Sequence, residues 1–456
     1  MVITENKKYL FEKMKVPKAV MYLVVPTIIS QLITIIYNWA DVFFVGQLND
    51  TFQMAAITIC YPAFMMTTAL SNLLGIGGAS VISRALGNNN YDKIKKTATL
   101  SLLLSIIFSI VYSLFVFLLN DPLLYLLGAD KDTIGFAKDY LFWVVILGSL
   151  PSVTNYTLSH LIRSIGKSQS ASIGIAMGGI INIILDPIFI FVFNLDVTGA
   201  AIATCISNCL ACAYFIIYLI VTKKDSLLNF SFKNLKVRDK VLLDSLASGL
   251  SGFFLTLMAL FSNASINHLM STYSAAAISG VNIAKKVDLC VVAFAQGFAQ
   301  GVLPLIGYNF ASKDTKRMNA VIKFSLFVSI LFAVICVILF SLLPRPIVNI
   351  FIKDEQTVEF ATDFLRILCL SMPLTTLIFL FNTIFQATQQ TTRAMITILL
   401  RKGIIDIPIM IFLNHLIPIY GIVISQPLVD CSASIVAIIL YITFLRKQKA
   451  QLTPII

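Results

Sequence analysis

The sequence predicts an all-α membrane protein of twelve transmembrane helices, arranged as two six-helix bundles related by a pseudo-two-fold axis along the membrane normal. Three observations lead there. Hydrophobic residues make up 58% of the chain and charged residues only 12%, with a mean hydropathy of +0.89. A soluble domain carries about 25% charged residues, so a water-facing surface could not be covered. The apolar residues come in long runs, and those at 19–45, 97–119 and 321–343 each reach the roughly 20 residues that cross a bilayer as a helix. The two halves of the chain also resemble one another.

In chain order, apolar runs predict helices near 19–45, 53–82, 97–119, 136–158, 169–193 and 197–221. A second set lies near 241–269, 275–306, 321–343, 360–384, 394–413 and 418–445. Between the sets, 222–240 is the longest polar, basic stretch, which reads as a linker between an N-terminal lobe (1–221) and a C-terminal lobe (241–456). The basic N-terminus resembles the start of a signal peptide. The apolar run after it is too long for one and lacks a small-residue cleavage site, so it is expected to remain as the first helix.

The net charge of +12 raises the possibility of a nucleic-acid partner. The basic residues instead sit in short loops between apolar runs, the positive-inside pattern, and no basic cluster interleaves with aromatics. With the N-terminus inside, 25 Lys and Arg fall in cytoplasmic segments against four in the outer loops (Lys131, Lys138, Arg345, Lys353). Both termini are therefore expected in the cytoplasm. The eight cysteines all lie within apolar runs and indicate no disulfide framework. Cys205, Cys209 and Cys212 share helical spacing, but buried cysteine is more often a small apolar packer than a metal ligand.

The internal likeness is specific. Residues 75–93 resemble 297–316, 162–191 resemble 385–413, and the first helix of each half aligns from Pro26 and Gly249. An even helix count per half makes the repeats parallel, and such transporters bind cargo near the repeat interface. No G-x-x-x-x-G-K-[ST] motif occurs, so ATP is not expected as the energy source, and no clustered nucleophile or metal set suggests an enzyme.

Two carboxylates, Asp41 and Asp186, stand in the interior of apolar helices. A mid-bilayer charge costs about 2.5–3.5 kcal/mol on insertion scales, which makes such acids a functional signal. Counting along each helix puts Asp41 roughly 33 Å and Asp186 roughly 26 Å from the cytoplasmic entry. Thr204 lies roughly 10 Å below the outer end of the sixth helix. Asn182 precedes Asp186 by one turn on the same face. Pro187 lacks an amide donor and leaves a nearby carbonyl free. This oxygen-rich set suits a hard cation, while mutual repulsion of the acids equally suits a held proton. Structural acids that hold the helices together are the plainer reading. Against it, the second-half position matching Asp41 is Ala264, so the repeat fold does not require an acid.

Several motifs resemble the MATE (multidrug and toxic compound extrusion) family, and within it the MepA- and DinF-like bacterial branch. They are Pro26 with 37–48, then 74–93, 163–171, 182–191 with 199–208, and 302–310. Their order and spacing, over nearly the whole chain, carry the resemblance. It implies a cation-coupled antiporter, using Na⁺ or H⁺ and no other cofactor, that exports small-molecule organic cations across the bacterial cytoplasmic membrane. It would work as a monomer with membrane lipid around it and no nucleic-acid partner. The coupling site implied is Asp41, Asn182, Asp186 and Thr204 with the Ala200 carbonyl. Pro26 is implied as a hinge of the first helix. The cargo cavity is expected around Tyr37, Asn38, Met65, Met66, Asn155 and Met177, where aromatic and thioether surfaces would suit varied flat cations.

In the second half, Lys285, Lys286, Asp288, Arg401, Lys402, Asp406 and Asp430 either line a cavity or pair across helices. Lys285 and Asp288, three apart, could neutralise each other. A flippase or exporter of lipid-linked or other amphipathic metabolites is the alternative, and it would use such cations facing a central cavity. A major-facilitator carrier would need a G-x-x-x-D-[RK] loop after the second helix, where this chain has GNNNYDKIKK.

Overall fold

Long helices account for nearly all of the architecture because each apolar run must satisfy its backbone polar groups internally in lipid. In the computed structural model, which describes residues 9–223, 227–228, 230 and 240–452, no strand occurs among the described residues. Most of the linker expected at 222–240 lies outside them. The first lobe runs α1 (Val16–Gly46), α2 (Thr51–Gly87), α3 (Tyr91–Leu118), α4 (Ile134–Leu147), α5 (Ser149–Ser164), α6 (Ser168–Val192) and α7 (Asp196–Val221). The second runs α8 (Lys240–Ser271), α9 (Ala275–Ala311), α10 (Thr315–Leu342), α11 (Glu355–Cys369), α12 (Met372–Ala387), α13 (Thr391–Leu399), α14 (Asp406–Leu416) and α15 (Tyr420–Leu452).

Among the described residues, nine helices are long and apolar enough to cross a membrane. The pairs α4 with α5 and α11 with α12, bent by 45° and 47°, raise that to eleven if each counts as one span. The eleventh segment expected, 394–413, is α13 and α14 joined by a π-helical turn, Leu400–Ile404, and it carries Arg401, Lys402 and Asp406. Large apolar side chains such as Val111, Leu118, Phe327 and Leu342 are exposed on the outer helix faces, as a lipid-facing surface requires.

The lobes pack tightly at the end of the bundle that holds α1's start. A Cβ on Gly249 would stand 1.8 Å from the Leu73 carbonyl oxygen, and one on Gly77 would stand 2.1 Å from that of Ser245. Only glycine permits α2 and α8 to approach so closely. Arg84 lies just past the second apolar run and reads from sequence as a loop charge. It is instead 8% exposed at the end of α2, and its Nη1 donates to the Gln386 and Ala387 carbonyls of the other lobe at 3.1 and 3.3 Å. Arg163 is likewise buried within α5, where it donates to Gln300 Oε1 at 2.8 Å. Gln300 also accepts from Gln31 of α1 at 3.1 Å, which ties α1, α5 and α9 together. A short π-helical segment before α1, Tyr9–Lys13, closes this end. Tyr308 donates to Glu12, and Arg317 donates to the carbonyls of Leu10, Phe11 and Met14.

Candidate functional site

Asn182 is the organising residue of the first lobe. Its Nδ2 donates to Asp186 Oδ1 at 3.1 Å and to Thr204 Oγ1 at 3.3 Å, which links α6 to α7. Those bonds consume donors and leave acceptors. Asn182 Oδ1, Asp186 Oδ2 and Asp41 Oδ1 are all buried without a hydrogen-bond partner. Unpaired buried acceptors are costly, about 1–3 kcal/mol each and more when charged. Three together in one lobe form a set of oxygens free to bind a cation or a proton.

Asp186 is 0% exposed, whereas Asp41 on α1 is half-buried. Ala200 is fully buried on α7 one turn before Thr204. The Asp186–Pro187 step ends the α-helical part of α6, and Ile188–Val192 continue as a π-turn. A widened turn of this kind is frequent at functional sites.

Small residues bring the helices together. A Cβ on Gly179 would meet Tyr37 Cδ1 and Ile33 Cγ2 at 3.0 Å, and one on Gly178 would meet the Ala211 Cβ at 3.1 Å. The space these glycines leave opens a cleft beside Asn182. Tyr37, Asn155, Tyr156, Thr204 and Asn208 are among its walls. Asn155 Nδ2 donates to the Asn208 side-chain and backbone oxygens at 3.0 and 3.3 Å, and the Tyr37 and Tyr156 hydroxyls stand 3.5 Å apart.

Of the six cavity residues expected from sequence, Tyr37 and Asn155 line this cleft and four do not. Asn38 is one step round α1 from Tyr37, exposed, and donates to the Thr34 carbonyl at 2.7 Å. Met177 is one step from Gly178, and Met65 and Met66 are half-buried on α2. Tyr156, Asn208, Gly178 and Gly179 were not anticipated; the Gly-Gly pair one turn before Asn182 was the available signal. Pro26 lies inside α1, which continues unbroken through it.

Of the second-lobe charges, Arg401 and Asp430 pair across helices, one of the two readings above, whereas Lys285 finds a partner other than Asp288. Lys285 Nζ bonds Asn263 Oδ1 at 2.9 Å rather than Asp288, because Asn263 on α8 faces it across the helix interface. Arg401 Nε and Nη2 meet the two oxygens of Asp430 at 2.8 and 3.4 Å. Lys402 bonds Gln426 Oε1 at 2.6 Å. Asp406 is fully buried with neither carboxylate oxygen hydrogen-bonded. No group of three or more His, Cys, Asp or Glu suited to a metal ion occurs among the described residues.

Comparison with known proteins agrees with this architecture. The family model described as MatE matches the chain twice, over residues 26–188 and 248–412. The multidrug export protein MepA of Staphylococcus saprophyticus is 31% identical over 436 residues, 96% of either chain. MepA of Staphylococcus aureus strain MRSA252 is 30% identical with the same coverage. Among solved structures, a MATE family transporter of the MOP superfamily in an outward-facing conformation superposes with a TM-score of 0.90 at 22% identity, over 96% of this chain and 98% of that one. Twice matched by the family model, and similar to these relatives from end to end, the chain belongs to the MatE family of multi-pass membrane transporters.

Proposed function

We propose that the chain is a cation-coupled antiporter that exports organic cations and drugs across the bacterial cytoplasmic membrane, with both termini in the cytoplasm. The observation that carries the reading is the set of unpaired acceptors on Asp41, Asn182 and Asp186 in the first lobe, with Asn182 also lining a polar cleft. The relatives' name as multidrug export proteins supports the cargo class. A coupling ion, Na⁺ or H⁺, would sit among Asp41, Asn182, Asp186, Thr204 and the Ala200 carbonyl. Cargo would occupy the adjoining cleft, where Tyr37 and Tyr156 offer ring faces and Asn155 and Asn208 offer amides. Ion binding neutralises the acids and removes the attraction for a positive cargo, so one displaces the other. Each charge moved inward down the membrane potential yields roughly 2.3 kcal/mol per 100 mV, enough to drive export.

With the termini inside, the tight packing of α2 on α8 closes the cytoplasmic end, the arrangement of an outward-open state. Pro26 lacks the amide that would bond the Tyr22 carbonyl, so α1 can bend there as Asp41 changes charge. The lipid-linked flippase reading needs cationic side chains free to meet an anionic headgroup, and Arg401 is consumed by Asp430. The test is efflux of a fluorescent organic cation from proteoliposomes under separately imposed Na⁺ and pH gradients. Asp41→Asn and Asp186→Asn are expected to abolish gradient-driven efflux, and efflux unchanged in both would overturn the assignment.

A further inference from the structure

The two lobes can be aligned by matching parts. Ser168 and Thr391 begin α6 and α13, while Gly199 and Gly421 press against the ends of α6 and α14 at Phe189 and Leu413. Counting from those anchors, Gly178 and Gly179 fall level with Arg401 and Lys402, and Asn208 falls level with Asp430. Where the first lobe has two glycines and a cleft, the second has two long cationic side chains.

Their surroundings are specific. Arg401 is 5% exposed and Asp430 is 0% exposed. Besides its two contacts with Asp430, the guanidinium donates from Nη2 to Thr375 Oγ1 at 3.0 Å, and Thr375 in turn donates to Asp430 Oδ2 at 2.7 Å. The guanidinium carbon lies 5.3 Å from the centre of the Phe379 ring. Gln426 Nε2 braces Asp430 Oδ1 at 3.2 Å. A carboxylate, a hydroxyl and an aromatic face around a flat, delocalised charge are what recognition of a planar organic cation requires. Lys402 fills the adjacent room with its ammonium on Gln426.

We propose that the second lobe is a planar-cation site occupied by the chain's own Arg401, a tethered ligand of the amidinium–guanidinium class. Because that occupant cannot leave, this site takes no free cargo cation in the wild type. That last consequence rests on the function proposed above; the occupancy itself does not.

Removing the tether vacates the site for a free ligand of the same class. In purified full-length Arg401→Ala, methylguanidinium chloride is expected to raise Tm saturably by roughly 2 °C once it reaches about ten times its Kd. The wild type should show no saturable rise. Arg401→Ala combined with Asp430→Asn should lose the response, as should choline chloride at equal concentration. Benzamidinium should act like methylguanidinium, through the Phe379 face. No saturable rise in folded Arg401→Ala, or an equal rise with choline, would overturn the proposal. If Arg401→Ala is not recovered as monodisperse protein, expression with methylguanidinium in the medium should recover it, and failure to do so counts against the site. Asp186→Asn should leave the methylguanidinium response of Arg401→Ala intact, so a failure of the first-lobe reading is distinguishable from a failure here.

Discussion

Replacing Gly249 by alanine is expected to pry the lobes apart at the end of the bundle that holds the start of α1. The added methyl carbon would lie 1.8 Å from the Leu73 carbonyl oxygen, 2.6 Å from its carbon and 3.0 Å from its Cα. All three are backbone atoms of α2, so no side-chain rotation relieves the clash. Contact at ordinary distance requires more than about 1 Å of separation between α2 and α8, and overpacking of this kind costs typically 1–3 kcal/mol. The cost applies only to the conformation in which α2 and α8 touch. At 1.4 kcal/mol per factor of ten, it shifts the equilibrium roughly 5- to 150-fold toward the state open at this end. Ser248, 1% exposed on α8 beside the contact, provides a reporter. With the eight native cysteines replaced, Ser248→Cys should react with a membrane-impermeant maleimide at least about fivefold faster in Gly249→Ala than with glycine retained. Equal labelling rates with unchanged export would refute this account of the closed end.

Other perturbations address single contacts. Asn155→Ala leaves the Asn208 side-chain oxygen without its donor, a loss of about 1–3 kcal/mol that should raise the KM for exported cations more than it lowers kcat. Gly179→Ala pushes against Tyr37 and Ile33, so cargo affinity should fall while the protein stays monodisperse in detergent. Pro26→Ala restores an amide donor to α1, and export should slow while equilibrium ion binding at Asp186 is retained. Arg317→Ala releases three carbonyls of the N-terminal segment, and proteolysis before α1 should quicken without loss of coupling.

Much of the first-lobe site was legible because depth in a membrane can be counted. Helical periodicity put Asn182 on the face of Asp186, and the rise per residue put Thr204 within reach of it, as their hydrogen bonds show. Asn155 and Tyr37 were reachable through family resemblance. The cleft that joins them depends on Gly178 and Gly179, whose contribution is absence of a side chain, and periodicity arguments weight what is present. The bends between α4 and α5 and between α11 and α12 fall at Gly148 and Ser371, just ahead of Pro151 and Pro373, signals that a reading of apolar runs alone passes over. Arg84 and Arg163 resembled loop charges, since burial by the opposite lobe leaves no local trace. The Arg401–Asp430 pair spans two helices and could be seen only once both were packed.

The central claim is that ion and cargo exclude one another through the acids of the first lobe, and equilibrium competition measures it directly. Binding of ²²Na⁺, and proton release in parallel, would be followed in purified protein as an organic cation is added. The account predicts that saturating cargo displaces the bound ion, that the ion weakens cargo by the same factor, and that Asp186→Asn abolishes both effects. Ion and cargo bound together, neither altering the other's affinity, would contradict it.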